Sequence, residues 1–228
     1  MKFLKDLISV FYPENCLCCN EPISGNSLGI CISCRHDLPF TNYSSLANNK
    51  VEKSFYGRIP IEEATSLLHF FKKGPTQELM HNLKYRNKQE IGTMLGVWMA
   101  QSIKNSNRFK EVDAIVPVPL HKKRLRQRGY NQLTKFGEAL SKELNLPYSP
   151  GNLIRIASTK TQTRKFRVER WTNVNTKFHV KDPTVFENKH ILLIDDIVTT
   201  GATVEACYNA FHTVKNFKLS LATMSYTK

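Results

Sequence analysis

Three things are scarce in this 228-residue chain: acidic charge, long apolar runs and repetition. Only 19 Asp and Glu face 33 Lys and Arg, a formal net charge of +14. Such a surface attracts nucleic acid, anionic lipid or phosphorylated small molecules, and charge alone does not choose among them. No stretch reaches the roughly 18 unbroken apolar residues of a membrane-spanning helix, so a soluble protein is expected. Internal repeats and low-complexity tracts are missing. At 41% hydrophobic content the chain is no disordered tail; it can bury one substantial core and carry a smaller appended module.

No secretion signal is expected either. The segment MKFLKDLISVFYPENC starts basic, but Asp6 interrupts its apolar stretch and no small-residue cleavage site follows. Phe3, Leu4, Leu7, Ile8 and Phe11 share one helical face, which predicts a short amphipathic helix packed on the rest of the protein rather than on a membrane. A cytoplasmic, reducing environment is the expectation.

What is present is cysteine, and it is concentrated. Five of the six cysteines lie in ENCLCCNEPISGNSLGICISC, with Cys16/Cys19 and Cys31/Cys34 each spaced as C-x-x-C. Two such knuckles supply the four thiolates of a tetrahedral zinc site, and a module this small needs a staple. Disulfides are disfavoured in a reducing compartment, and the surroundings do not look like a thioredoxin-type unit. An iron–sulfur cluster also uses four cysteines. Cys18 could replace Cys16 or Cys19, whereas Cys207 sits in a helical pattern and reads as a buried core thiol.

After Cys34 the chain turns polar, and Ser44 to Lys50 is expected as a linker, dividing the protein into units 1–50 and 51–228. Two short strands are expected within SFYGRIPIEEATSLLHFF, residues 54 to 71, then a helix from Thr76 carrying Leu79, Met80 and Leu83. A stronger helix follows, with Ile91, Met94, Leu95, Trp98 and Ile103 at helical spacing. Beyond it come a buried strand from Val112 to about Val116, a basic loop, and a helix with Leu133, Phe136, Leu140 and Leu144. The pattern ends with a long polar stretch, the strand HILLI, a helix presenting Val204, Cys207, Phe211 and Val214, and a last strand LSLATM. Strands alternating with helices predict an α/β domain with a mostly parallel sheet.

In such sheets ligands bind beyond the carboxyl ends of the strands. HILLIDDIVTTGAT occupies that position. If a helix starts near Ala202, the N–H groups of Thr199 to Thr203 point outward and the helix dipole favours an anion; Gly201 permits close approach and the threonine hydroxyls add donors. Asp195 and Asp196, when ionised, only accept hydrogen bonds, which suits vicinal hydroxyls, with magnesium helping to neutralise the site. A phosphate near a diol describes a ribose 5-phosphate. An acidic helix start with a threonine cap would explain only part of this order.

IDDIVTTGAT resembles the phosphoribosyl pyrophosphate signature of type I phosphoribosyltransferases. That resemblance implies ribose hydroxyls on Asp195 and Asp196 and the 5-phosphate on Thr199, Thr200, Gly201, Ala202 and Thr203. VPVPLHKKRLRQRGYNQ, LHFFKKG, LKY at Leu83 to Tyr85, and TQT with Arg170 downstream resemble the ComF family, competence proteins that join a cysteine knuckle to a phosphoribosyltransferase-like domain. This likeness covers nearly the whole chain, with Cys18 as a departure. It implies a pyrophosphate loop at Pro117, Val118, Pro119 and Leu120, with magnesium at the pyrophosphate.

Lys122, Lys123, Arg124, Arg126 and Arg128 could hold a diphosphate, a nucleic-acid backbone or solvent. The polar segment Ser158 to Lys177, with Lys160, Arg164, Lys165, Arg167 and Arg170, resembles the hood that closes over such sites, or is an exposed connector. The family further implies a role in uptake of transforming DNA, contact with single-stranded DNA aided by Tyr85 or Tyr130, and a helicase partner. The acceptor of pentosyl transfer is not named by any residue, and a DNA-binding factor that keeps the donor pocket as a sensor or relic is the competing expectation.

Overall fold

A computed structural model describes residues 14–23, 29–156 and 178–227. The expected amino-terminal helix and the segment carrying Arg164 and Arg167 lie outside the described residues. Among the described residues no helix is long and apolar enough to cross a membrane.

The centre is a four-stranded parallel sheet of β1 (Ala64–His69), β2 (Ala114–Pro117), β5 (His190–Val198) and β6 (Lys218–Tyr226), in the order β1-β6-β5-β2. Because all four run the same way, their carboxyl ends share one edge. Ile191 to Ile194 form the buried run at the middle of the sheet, and register pairs Pro117 with Ile194 and Asp195 with Thr223. The mostly parallel α/β expectation is thus met. A separate antiparallel pair, β3 (Leu153–Arg155) and β4 (Phe178–Val180), was not anticipated: three-residue strands carry too little periodicity to read.

The helices follow from their apolar stripes. In chain order they are α1 (Ile32–Asp37), α2 (Lys50–Lys53), α3 (Pro75–Tyr85), α4 (Glu90–Lys104), α5 (Lys122–Arg128), α6 (Leu133–Leu144) and α7 (Ala202–Ala210). The α4 stripe of Ile91, Leu95, Met99 and Ile103 is buried, as are Leu133, Phe136 and Leu140 of α6, and the two helices pack together beside the sheet. Asn145 closes α6 in the left-handed conformation, its N–H returning to the Ser141 carbonyl.

Several expectations need correction. The first of the two strands expected in 54–71 is a turn: Phe55 and Ile59 enter the core, and between them Gly57 has a φ of +71°, which breaks any pleat. The basic loop after β2 is helix α5, capped by His121 and ended by Gly129. Helix α7 stops at Ala210, so Phe211 and Val214 enter the core from the turn that follows. Strand β5 does not stop at Ile194 but continues through both acids to Val198.

The expected linker is also bound tightly. Ser44 and Asn49 are buried, Asn49 donates to the Ala64 carbonyl at 2.7 Å, and Thr41 and His69 exchange backbone bonds with Leu67 and Pro39 along the β1 edge. Asn49 finds backbone partners there and Ser44 the Thr65 and Ser102 hydroxyls, which satisfies both buried side chains. The cysteine segment docks on α3, where Asn82 donates to the Leu17 carbonyl at 2.8 Å.

Candidate functional site

Two clusters carry chemistry. In the first, the Sγ atoms of Cys16, Cys19, Cys31 and Cys34 all lie within 4.8 Å of one another. Tetrahedral thiolates at the zinc–sulfur distance stand about 3.8 Å apart, and Cys19 and Cys31 are separated by 3.8 Å. Backbone N–H groups of Cys18 and Cys31 point at the Cys16 sulfur, and that of Cys34 at the Cys31 sulfur. Burial raises the Cys16 pKa, but these N–H donors outweigh it and bring the thiol down to about 6, toward the thiolate a metal needs. Burial and the neighbouring sulfurs push Cys34 the other way, a cost that a cation would relieve. Cys18 stands outside this group of four: its sulfur lies 3.7 Å from the Pro75 carbonyl while its side chain also interacts with Cys34, and burial pushes its thiol up to about 11. The donor set fits a structural zinc ion. Cys207 is fully buried, as its place in the apolar pattern predicts.

The second cluster lies at the carboxyl edge of the sheet. Asp195 and Asp196 are buried, each with 8% of its surface exposed. As successive strand residues they face opposite sides of the sheet, and they differ in partners. Asp195 accepts the Asp196 N–H at 2.8 Å. The Asp196 Oδ2 accepts from the Lys84 ammonium at 2.7 Å and from the Gln132 amide at 2.8 Å. Burial, then the adjacent Asp196 charge, push the Asp195 carboxyl up to about 8. Hydroxyl donors or a cation arriving there would favour its ionised form.

Immediately beyond, Thr199 and Thr200 are exposed, Gly201 caps α7 with a φ of +76°, and Ala202 and Thr203 open the helix at the surface. The turn is held from behind. Arg58 donates to the Thr200 carbonyl at 2.7 Å and pairs with Glu205. A Cβ on Gly201 would lie 2.6 Å from the Phe55 ring. The Ala202 N–H meets the Thr200 hydroxyl at 3.4 Å, and the other first-turn N–H groups of α7 precede any intrahelical acceptor, as an anion site requires.

The loop Pro117–Leu120 follows β2, next to the acids: the Val118 N–H bonds to the Ile194 carbonyl at 2.9 Å. Pro117 and Val118 are buried, Pro119 and Leu120 partly so. Helical spacing then sorts the basic residues. Arg124 and Arg128, one turn apart on α5, join Lys84, Tyr85, Asn87, Gln127 and Tyr130 around a cavity of about 560 Å³. Lys122, Lys123 and Arg126 are exposed and do not line it. Tyr85 is 67% exposed, with the Arg128 guanidinium 5.2 Å from its ring centre, whereas the Tyr130 hydroxyl is engaged by the Leu83 carbonyl.

Sequence reasoning missed Lys84, Gln132, Arg58 and Phe55 as parts of the site. Lys84 and Gln132 lie inside the motifs LKY and RGYNQ, so their positions were visible; their meeting at Asp196 was not.

The chain has curated relatives. It is 26% identical over 207 residues to the DNA utilization protein YhgH of Salmonella typhimurium, covering 84% of this chain and 88% of that protein. It is 23% identical over 205 residues to competence protein F of Haemophilus influenzae, covering 85% and 89%. Over 90 residues it is 38% identical to competence protein ComFC of Bacillus subtilis, a match to 40% of this chain and 34% of that one. These homologues bear out the resemblance read from the motifs. No family model matches. Among solved structures, a hypoxanthine phosphoribosyltransferase from Staphylococcus aureus aligns at 16% identity with a TM-score of 0.32, covering 64% of this chain and 69% of that one.

Proposed function

We propose that this chain serves in DNA uptake during natural transformation, and that its β5 edge is a donor site for phosphoribosyl pyrophosphate. The names of its relatives, a DNA utilization protein and two competence proteins, support the first part. The observation that carries the second is the abrupt change of chemistry along one strand end. Two buried carboxylates are followed within a few residues by an outward-facing helix start with threonine hydroxyls, held from behind by Arg58. A ribose diol on Asp195 and Asp196 with its 5-phosphate on Thr199, Thr200, Gly201, Ala202 and Thr203 matches that order. The diphosphate would then face Pro117–Leu120 and the cations beyond.

The reaction class is pentosyl transfer, in which the anomeric carbon loses pyrophosphate and gains a nucleophile. The chain's contribution is orientation and charge complementarity. Asp195 and Asp196 are hard oxygen donors of the kind that would hold magnesium, which would supply neutralisation at the leaving diphosphate. The cysteine module, taken as part of a 1–50 unit ahead of a 51–228 phosphoribosyltransferase-like domain, would hold zinc for structure.

A second reading is supported by the exposed Tyr85 beside Arg128 and Arg124. A cationic groove with an available aromatic face suits single-stranded DNA, and a catalytically inactive DNA-binding factor working with a helicase fits it. Calorimetry separates the two. Magnesium-dependent binding of phosphoribosyl pyrophosphate that disappears in Asp195→Asn plus Asp196→Asn supports the donor site; binding unchanged in that variant removes it. A steep fall of single-stranded DNA affinity with salt is expected if the groove binds phosphates.

A further inference from the structure

Lys84 belongs to two environments at once. Its ammonium reaches the Asp196 Oδ2 at 2.7 Å, and the same side chain lines the 560 Å³ cavity with Arg124 and Arg128. Among the described residues lining that cavity there is no Asp or Glu. The second donor on Asp196, Gln132, is itself tied to the cavity: Arg128 donates to the Gln132 Oε1 at 2.8 Å. A continuous polar chain therefore runs from Arg128 through Gln132 and Asp196 to Lys84, joining a cationic cavity to one buried carboxylate.

Electrostatics makes this arrangement two-sided. The Lys84–Asp196 pair is mostly shielded, with side chains 18% and 11% exposed. Withdrawing the ammonium without replacing it would leave a buried, uncompensated carboxylate beside Asp195, which is costly. Keeping it there leaves the cavity short of one of its three cations and one Asp196 oxygen already engaged.

We propose that Lys84 is a shared counterion and a positioning residue: an oligophosphate in the Arg124/Arg128 cavity draws the ammonium off Asp196, freeing that carboxylate for the hydroxyls of a sugar. The diphosphate and diol halves of a donor then bind cooperatively, each supplying what the other's arrival removes. This rests on the donor-site reading for the role of the acid pair, while the competition for Lys84 is independent of it.

The test uses the full chain and inorganic pyrophosphate, titrated by calorimetry into four proteins: wild type, Asp196→Asn, Lys84→Met and the double variant. Loss of the Asp196 charge releases Lys84 to the cavity, so Asp196→Asn should bind pyrophosphate about fivefold to tenfold more tightly, within the usual range of coupling between sites. Lys84→Met should bind more weakly, and in its background Asp196→Asn should change little, since the coupling runs through the contact. An undiminished gain in the Lys84→Met background would mean that general Coulomb repulsion is at work and would overturn the proposal. So would a wild type that does not bind pyrophosphate, or an Asp196→Asn protein that binds no better.

In parallel, ribose 5-phosphate should bind the wild type more tightly with saturating pyrophosphate than without, and lose that dependence in Lys84→Met. Ribose 5-phosphate binding that survives Asp195→Asn plus Asp196→Asn would reject the donor-site reading, whatever pyrophosphate does. Circular dichroism of each variant checks that none owes its result to misfolding.

Discussion

The cysteine module and the β5 edge solve the same problem, holding like-charged or partly charged groups together, in opposite ways. In the module the four sulfurs come from two short knuckles and converge with help from N–H groups of the knuckles themselves. At the β5 edge the two acids are adjacent, but Asp196 is stabilised by Lys84 from α3 and Gln132 from beside α6. Local spacing therefore controls the first site and tertiary packing the second. A module built on local ligands should fail as a unit when one ligand is lost; an edge built on distant partners should respond in steps.

The largest effect is expected in the module. Structural zinc in small peptides is worth on the order of 10 kcal/mol in apparent binding energy. Cys31→Ser should therefore abolish one equivalent of bound zinc and unfold the module, exposing its contact with α3. Cys18→Ala should retain one zinc per chain, because the four mutually close sulfurs do not include that of Cys18. Metal analysis and proteolysis read both; loss of zinc in Cys18→Ala, or its retention in Cys31→Ser, would exchange their roles.

Next comes the turn at Gly201. Gly201 and Gly129 share a φ of +76°, but a Cβ at Gly201 meets Phe55 at 2.6 Å whereas none of the surroundings of Gly129 lies within 4 Å. Alanine at Gly129 should cost roughly 1–2 kcal/mol for the left-handed backbone alone. At Gly201 the added overpacking should bring the loss to roughly 2–4 kcal/mol. Denaturant titration of the two variants tests this, and equal losses would deny that Phe55 buttresses the phosphate turn.

The last effect, read as a slope rather than a single loss, concerns pH. Burial and the Asp196 charge raise the Asp195 carboxyl from 3.8 to about 8. A folded-state pKa above the unfolded one means that the folded protein holds this proton more tightly. Its contribution to stability is complete below about pH 4 and is lost as pH rises through 8. In the absence of ligand, stability should decline between pH 5 and pH 8.5, and Asp195→Asn should flatten that decline. An unchanged slope in the variant would show that Asp195 is not the titrating group.

The same contrast explains what was legible in the sequence. The cysteine cluster was readable because each C-x-x-C fixes its own geometry, and the four mutually close sulfurs leave Cys18 out. The helices α4 and α6 were readable because each buries a continuous apolar stripe. Helix α5 was not, since KKRLRQR has a single apolar residue, Leu125, which is 43% exposed; only its end signals, His121 and Gly129, betray it. The carboxyl-terminal end of β5 was hidden because carboxylates are poor strand formers, and pairing of Asp195 with Thr223 and of Ile197 with Ser225 on β6 carries the strand through them. Lys84 and Gln132 were visible as motif letters, yet no periodicity or spacing tells that they converge on one oxygen.

The most direct test of the donor site is a structure of the full chain soaked with phosphoribosyl pyrophosphate and magnesium. The account predicts ribose hydroxyls within about 2.5–3.0 Å of the Asp195 and Asp196 carboxylates, the 5-phosphate on the N–H groups that open α7, and Lys84 turned from Asp196 toward the diphosphate. A ligand bound elsewhere, or one whose ribose ring does not touch either acid, would contradict it.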